Sequence, residues 1–209
     1  MKAREGPVGK FPSRVGITGS PGTGKKTIGA KLATLTGLEL FSINDFAIAS
    51  EAGAWRDGEF LVDTSMLKGK IATEGRIVVG HLLPYVLSNR MLDRVIVLRC
   101  SPSELKRRYM DRGYPEAKIR ENVEAEMIGL IAGKCAEVFD HGKLAEFDTT
   151  QGNAQTIAKN IQRSLCSMKG RQFGRIDWLA RVRTPSTLVS LVSHEEEENH
   201  RLNKTKKDN

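Results

Sequence analysis

A glycine-rich segment near the N-terminus carries the residues best suited to phosphate chemistry. Residues 19–27 read Gly-Ser-Pro-Gly-Thr-Gly-Lys-Lys-Thr and fit the G-x-x-x-x-G-K pattern of a phosphate-binding loop. Gly22 and Gly24 allow the backbone to curl, so that its N–H groups and the start of the following helix form an anion site. Lys25 adds a charge that can reach the β- and γ-phosphates of a nucleotide. An ordinary glycine-rich turn is disfavoured, because the segment lies between a predicted strand and a predicted helix.

The position after Lys25 departs from this pattern. A Ser or Thr is expected there, with a hydroxyl that binds Mg²⁺. This chain has Lys26 instead, and the hydroxyl of Thr27 comes one residue later, about 100° further around a helix. We therefore expect phosphate binding to be kept, while the metal ligands are unknown. The ammonium group of Lys26 is hypothesised to supply part of the missing positive charge.

Alternating strands and helices predict how these residues are positioned. The apolar runs predict strands over residues 14–18, 38–43, 76–81, 94–99 and 143–148. Helical patterns lie over 28–35, 44–49, 64–74, 101–110, 118–139 and 153–166, and a loop that closes over a ligand is expected at 53–60. This order predicts an α/β fold of the P-loop NTPase type, with a five-stranded doubly wound parallel sheet and helices on both faces.

Two further candidate residues follow from this arrangement. His81 ends the predicted third strand, and open α/β sheets bind ligands at the carboxyl ends of their strands. We therefore expect His81 to point into the nucleotide cleft, with a structural histidine under a loop as the alternative. Arg112 lies between two predicted helices, where a mobile lid could carry it onto phosphates. The basic residues around it can equally form a solvated helix face: Lys106, Arg107 and Arg108.

Composition limits the setting in which this chemistry takes place. The length of 209 residues allows one α/β domain with an appendage. The net charge of +8 permits an anionic partner, either nucleotide or RNA. No apolar run is long enough to span a membrane, and residues 1–13 lack the apolar centre of a secretory signal, so we interpret them as a disordered lead-in. The three cysteines are far apart and odd in number, which favours neither a disulfide framework nor a zinc site. We expect a cytoplasmic protein.

The composition changes after residue 166. Residues 167–209 contain basic residues mixed with large apolar ones, then an acidic run at 195–198 and a basic end. Charge runs of this kind are typical of solvated or disordered chain. We predict a partly flexible C-terminal extension, with an extra strand or docking segment possible at 187–192. Its role is open between a partner-binding arm and an inert tail.

Taken in order, the motifs resemble those of the archaeal adenylate kinases related to the eukaryotic nuclear adenylate kinase isoenzyme six. The resemblance covers about residues 15–165 and rests on the segments 19–25, 42–47, 79–81, 97–100, 111–114 and 119–127. It implies a P-loop kinase domain over 14–166. Within that domain it implies a monophosphate-binding region at about 42–65 and a small lid at about 111–121.

The resemblance also implies an activity and assigns residues to it. The γ-phosphate of ATP would be transferred to AMP to give two ADP, with Mg²⁺ as the metal. ATP would be held by Gly22, Gly24, Lys25, Lys26, Thr27 and Arg112; the monophosphate by Asp45 and His81; and the catalytic residues would be Lys25, His81 and Arg112. The family is further credited with ATPase activity and with maturation of the small ribosomal subunit, in which a ribosomal protein is the partner.

Three positions depart from the pattern of that family. Lys26 replaces a Ser or Thr, and Val79 stands where relatives carry an acid that helps to order metal-bound water. Met66 falls near an arginine position that contacts the monophosphate. These changes affect the handling of metal or acceptor rather than of the ATP phosphates. The adenylate kinase reading is favoured, and the alternatives are an ATPase that acts as a small-subunit assembly factor and a catalytically weak ATP-binding scaffold.

Overall fold

Five parallel strands form the central sheet. The structure, a computed structural model, describes residues 11–56, 58–167 and 172–181. Its strands in chain order are β1 (Arg14–Thr18), β2 (Glu39–Ser42), β3 (Gly53–Arg56), β4 (Glu59–Val62), β5 (Arg76–Val79), β6 (Arg94–Arg99) and β7 (Leu144–Asp148). The main sheet has the order β2-β5-β1-β6-β7, with every neighbouring pair parallel. The predicted five-stranded parallel sheet is confirmed.

Helices cover both faces of this sheet. They are α1 (Lys25–Thr36), α2 (Ile43–Ala49), α3 (Thr64–Leu67), α4 (Leu83–Val86), α5 (Pro102–Met110), α6 (Glu116–Met127), α7 (Leu130–Val138), α8 (Ala154–Ser167) and α9 (Trp178–Arg181). Helices α1 and α8 pack against one face, and α4 and α7 pack against the other. Because both faces are covered, the central strands are buried on each side, as their continuous apolar sequences predict. None of the described helices is long and apolar enough to cross a bilayer.

The loop expected at 53–60 is instead a β-hairpin. Strands β3 and β4 pair antiparallel, and Trp55 lies opposite Phe60 with the ring centroids 5.5 Å apart. Such cross-strand aromatic pairs stabilise a hairpin. Each strand is only four residues long, which is too short for a clear alternating pattern in the sequence.

Two of the predicted helices are also shorter than expected. The helix predicted over 64–74 covers only Thr64–Leu67, since Lys68 leaves the helical region with ψ at 129°. The single helix predicted over 118–139 is two helices, α6 and α7, separated at Gly129. Gly129 has φ at 67°, a left-handed conformation that glycine adopts without strain and that ends a helix. Helix α2 is capped by Ser42, whose hydroxyl accepts the N–H of Asp45.

Chain segments at both ends pack on the domain. Phe11, inside the predicted disordered lead-in, packs against the core formed by α1 and α8. Near the C-terminus, Phe173 and Trp178 are buried, and the N–H of Glu146 in β7 donates to the carbonyl of Gln172 at 2.9 Å. Residues 172–181 are therefore packed chain rather than a solvated tail. The segment 187–192 and the charged runs after it lie outside the described residues.

Candidate functional site

The glycine-rich loop connects the central strand β1 to helix α1, as predicted. Gly22 and Gly24 have φ at 81° and 91°, so the loop needs residues without a side chain at these positions. A Cβ on Gly22 would also lie 2.7 Å from Cδ1 of Leu105 in α5. The loop is thus enclosed by α5 on one side and opens at the carboxyl edge of the sheet.

Lys25 is folded back onto this loop. Its Nζ donates to the carbonyl oxygens of Gly19 and Ser20, both at 2.8 Å. Burial lowers the pKa of Lys25 to about 7, and the negative charge of Glu126 offsets part of that effect. A nucleotide phosphate would offer the ammonium group an anion in place of two carbonyl dipoles, so Lys25 is placed to change partners when a ligand binds.

Lys26 joins the loop to the predicted monophosphate-binding region. Its Nζ lies 2.8 Å from a carboxylate oxygen of Asp45 at the start of α2, and both side chains are more than half exposed. An ammonium group therefore occupies the position where a metal-binding hydroxyl was expected, and Thr27 is exposed on α1. In the described residues no three His, Cys, Asp or Glu side chains cluster as metal ligands. With an ammonium group in place of the hydroxyl, the side chains of the loop do not fit a bound magnesium ion.

His81 lies beside the loop, at the same edge of the sheet. Strand β5 pairs with β1, and the N–H of Gly80 donates to the carbonyl of Ile17 at 3.2 Å. Burial, followed by the charges of Lys25 and Lys118, lowers the pKa of His81 to about 4. The imidazole is therefore neutral at physiological pH. It can orient a hydrogen-bonding partner, but it carries no charge to place on a phosphate.

Arg108, rather than Arg112, reaches the loop in this structure. Its Nη1 donates to the carbonyl of Gly22 at 3.3 Å, and its Nη2 donates to that of Thr149 at 2.5 Å. The sequence treats Arg108 as one of several basic residues on a helix face. Arg108 follows Glu104 by four residues, a spacing at which oppositely charged side chains pair on a helix, and the two do pair here. This spacing is the sequence signal that could have predicted a fixed orientation for Arg108. Arg112 lies exposed on the turn after α5, and its assignment to ATP stays a prediction.

The predicted lid touches the predicted monophosphate-binding region. Lys118 at the start of α6 forms an ion pair with Glu59 in the hairpin. The same ammonium group lies 5.5 Å from the ring centroid of Tyr114. The segments 111–121 and 42–65 therefore meet over the edge of the sheet that holds the loop and His81.

Sequence reasoning missed one buried residue at the back of the loop. Glu126, near the end of α6, is 2% exposed and accepts a 2.6 Å hydrogen bond from the hydroxyl of Ser20. In the sequence, Glu126 lies in the segment 119–127, whose pattern indicates only a family resemblance. No spacing in the sequence relates Glu126 to a loop residue that precedes it by 106 positions.

The comparisons with known proteins agree with this geometry. A family profile described as an AAA domain matches residues 15–129. A protein named "Putative adenylate kinase" from Pyrococcus abyssi is 32% identical over 173 residues, which cover 78% of this chain and 90% of that protein. A protein of the same name from Natronomonas pharaonis is 33% identical over 171 residues, with 79% and 97% covered. The chain belongs to the archaeal adenylate kinase family.

The fold agrees with solved structures of a second kinase type. A shikimate kinase from Acinetobacter baumannii, solved with shikimate, matches with a TM-score of 0.53 and 19% identity, covering 74% of this chain and 93% of that one. At this identity the match concerns the fold alone. Together with the five-stranded sheet it confirms the predicted P-loop NTPase fold. This member of the adenylate kinase family thus has the fold of a P-loop kinase.

Two positions of the adenylate kinase pattern can now be located. Val79 is 2% exposed in the core between the sheet and α1, and a Cβ on Gly29 would lie 2.8 Å from it. Val79 is therefore a packing residue. Met66 is 41% exposed on α3, close in sequence to the hairpin, and offers no charge for a monophosphate.

Proposed function

We propose that this protein is an adenylate kinase that transfers the γ-phosphate of ATP to AMP. The observation that supports this most is the convergence of the loop, His81 and the 42–65 region at one edge of the sheet, where the Lys26–Asp45 pair links the donor side to the acceptor side. A phosphoryl transfer between two phosphates needs positioning and charge neutralisation more than covalent chemistry.

On the donor side, the loop N–H groups and Lys25 hold the β- and γ-phosphates of ATP. Arg108 stabilises the loop backbone at Gly22, and Arg112 reaches the phosphates when the lid closes. Mg²⁺, when bound with the nucleotide, would neutralise phosphate charge; no loop side chain is assigned to it. Lys26 supplies positive charge next to the loop.

On the acceptor side, the 42–65 region binds AMP, with Asp45 and the neutral imidazole of His81 orienting it. An oxygen of the AMP phosphate forms a bond to the γ-phosphorus while the bond from that phosphorus to the bridging oxygen of ADP breaks. The lid over 111–121 excludes water during the transfer. The contact between Lys118 and Glu59 is a ready connection between lid and acceptor region.

A second candidate function is an ATPase that assists assembly of the small ribosomal subunit, in a cytoplasmic setting. One observation favours it: Met66 provides no cation for a monophosphate. In that case water replaces AMP as the acceptor. A small-subunit ribosomal protein or RNA would be the partner of this basic protein.

The deciding experiment measures ADP formation from ATP and Mg²⁺ by the purified protein, with and without AMP. Strong stimulation by AMP supports the adenylate kinase. Equal rates with and without AMP support the ATPase. If ATP binds but no ADP forms under either condition, both activities are wrong and a nucleotide-binding scaffold stands. Lys25→Ala is the control for loop-dependent turnover and should abolish ADP formation in either case.

A further inference from the structure

One carboxylate connects the phosphate-binding loop to the C-terminal segment 172–181. Oε2 of Glu126 accepts the hydroxyl of Ser20 at 2.6 Å, and Oε1 accepts the indole N–H of Trp178 at 3.0 Å. Both Glu126 and Trp178 are buried. Because Glu126 is shielded from bulk solvent, a displacement of Ser20 or Trp178 acts on the other residue through this shared carboxylate.

The carboxylate of Glu126 is held firmly by groups at the end of β6. Nε of Arg99 donates to Oε1 at 2.8 Å, and the N–H of Cys100 donates to the same oxygen at 3.1 Å. The guanidinium of Arg99 is 3% exposed and also donates to the carbonyl of Glu126. Charge-assisted bonds in a buried setting are strong and geometrically specific. Because its carboxylate is held in one orientation, a displacement of Ser20 changes the position of the group to which Trp178 is bound.

The C-terminal segment is anchored to the same cluster through its backbone. Oε2 of Glu146 accepts three successive backbone N–H groups, those of residues 174–176, at 2.9 to 3.3 Å. Arg99 pairs with Glu146 and also donates to the carbonyl of Ile176 at 3.2 Å. The guanidinium of Arg181 lies 4.7 Å from the centroid of the Trp178 ring. Contacts of the residues before Trp178 and of Arg181 after it thus fix the position of Trp178 relative to Glu126.

On the loop side, Ser20 is one of the two residues whose carbonyl oxygens bind Lys25 in this structure. Its carbonyl accepts Nζ of Lys25 at 2.8 Å and the hydroxyl of Thr23 at 2.9 Å, while its own hydroxyl is bound to Glu126. A phosphate that draws Lys25 away would remove one hydrogen bond from the carbonyl of Ser20. Because the hydroxyl of Ser20 is bound to Glu126, this change is passed on to Glu126.

We propose that Glu126 is a positioning residue of the nucleotide site, and that residues 172–181 belong to that site through it. Nucleotide binding at the loop and docking of Trp178 then influence one another, and this coupling is reciprocal by thermodynamic necessity. The inference rests on the proposed function, because it requires a nucleotide to bind the loop. It adds to the site a part of the chain that follows the segments on which the family resemblance rests.

The chain offers a direct spectroscopic test, because its two tryptophans are Trp55 and Trp178. In a Trp55→Phe variant, Trp178 is the single fluorescent indole. ADP is titrated into this variant while its emission is recorded, and calorimetry measures the binding in parallel. We expect the emission to change with the same midpoint as the calorimetric isotherm. Adding Ser20→Ala, which cuts the connection without touching Trp178, should remove most of that change.

Binding constants provide the second arm of the test. Trp178→Phe keeps the aromatic packing and removes the N–H donor, so ADP affinity should change by up to about ten-fold, the limit set by one hydrogen bond to a buried charged group. Leu179→Ala is the matched control, since Leu179 is exposed on the same short helix. Its ADP affinity should equal that of the unsubstituted protein.

The outcomes separate this inference from the proposed function. If calorimetry shows ADP binding while Trp178 emission stays constant, or if Trp178→Phe binds ADP as tightly as the unsubstituted protein, the coupling is wrong and the kinase proposal stands. If the unsubstituted protein binds no ADP, the proposed function and the coupling are both overturned.

Discussion

The ammonium group of Lys26 lies 2.8 Å from the carboxylate of Asp45, so a residue of the phosphate-binding loop is paired with the first turn of α2. Lys26 stands at the position where a loop hydroxyl would bind metal, and Asp45 is the acidic residue assigned to the monophosphate. The pair is solvent-exposed, so its contribution to stability is small. Its importance is that it connects the phosphate-binding loop directly to the region predicted to bind the monophosphate.

Replacing Lys26 tests whether that charge supports turnover. Lys26→Thr removes the ammonium group and introduces a hydroxyl, so we expect ADP formation at low Mg²⁺ to fall by about ten-fold, as loss of one partly screened charge contact would cause. Raising Mg²⁺ should restore part of the rate. Lys26→Arg keeps the charge and serves as the control. An unchanged rate together with an unchanged Mg²⁺ dependence in Lys26→Thr would contradict the role given to Lys26.

Arg108 and Arg107 form a matched pair for mutation. Both pair with Glu104, but only Arg108 reaches the carbonyl of Gly22. Arg108→Gln should weaken ATP binding by about ten-fold, because the loop loses a charge-assisted contact to its backbone. Arg107→Gln, at a side chain 60% exposed, should leave ATP affinity unchanged. Calorimetric titration with ATP compares the two, and equal effects would show that Arg108 has no special connection to the loop.

The lowered pKa of Lys25 predicts a pH-dependent affinity for ATP. With a pKa of about 7, Lys25 is charged below that pH and loses its proton above it, while ATP phosphates bind the charged form. Affinity should therefore fall as pH rises from 7 to 9, by at most about ten-fold per pH unit. Lys25→Arg keeps its charge throughout this range, so its ATP affinity should be flat. A decline of equal size in both proteins would assign the titration to another group.

Replacing the buried Tyr109 should stabilise the protein, whereas most substitutions in a protein core destabilise it. Its ring is buried, and its hydroxyl has no hydrogen-bond partner among the described residues. Burial is also the main cause that raises the pKa of Tyr109. Tyr109→Phe removes an unpaired polar atom, so the free energy of unfolding should increase by about 1 kcal/mol in urea denaturation. A loss of stability would mean that the hydroxyl has a partner in solution.

Much of the fold follows from local sequence signals. Short β-branched runs between helical patterns predicted the parallel sheet, because buried parallel strands must be apolar on both faces. The predictions were wrong at two places where one turn decides the local structure, the hairpin after α2 and the break between α6 and α7. Trp55 and Phe60 stabilise a hairpin through a cross-strand contact, and Gly129 divides a long helical pattern at one residue. Both outcomes depend on a conformation at a single turn, which helical or strand periodicity does not encode.

By itself, the sequence determined the loop and its residue types: Gly22, Gly24 and Lys25 predict an anion site because backbone curvature and charge are local properties of adjacent residues. It also placed His81 at the carboxyl end of a strand beside that loop, through the rule that parallel strands share one ligand-binding edge, although β5 ends at Val79 and His81 lies in the turn that follows. Only the tertiary structure decided that Arg108 reaches Gly22 and that Glu126 links Ser20 to Trp178. Those contacts join residues far apart in the chain, and they arise from how α5, α6 and the C-terminal segment pack against the carboxyl edge of the sheet.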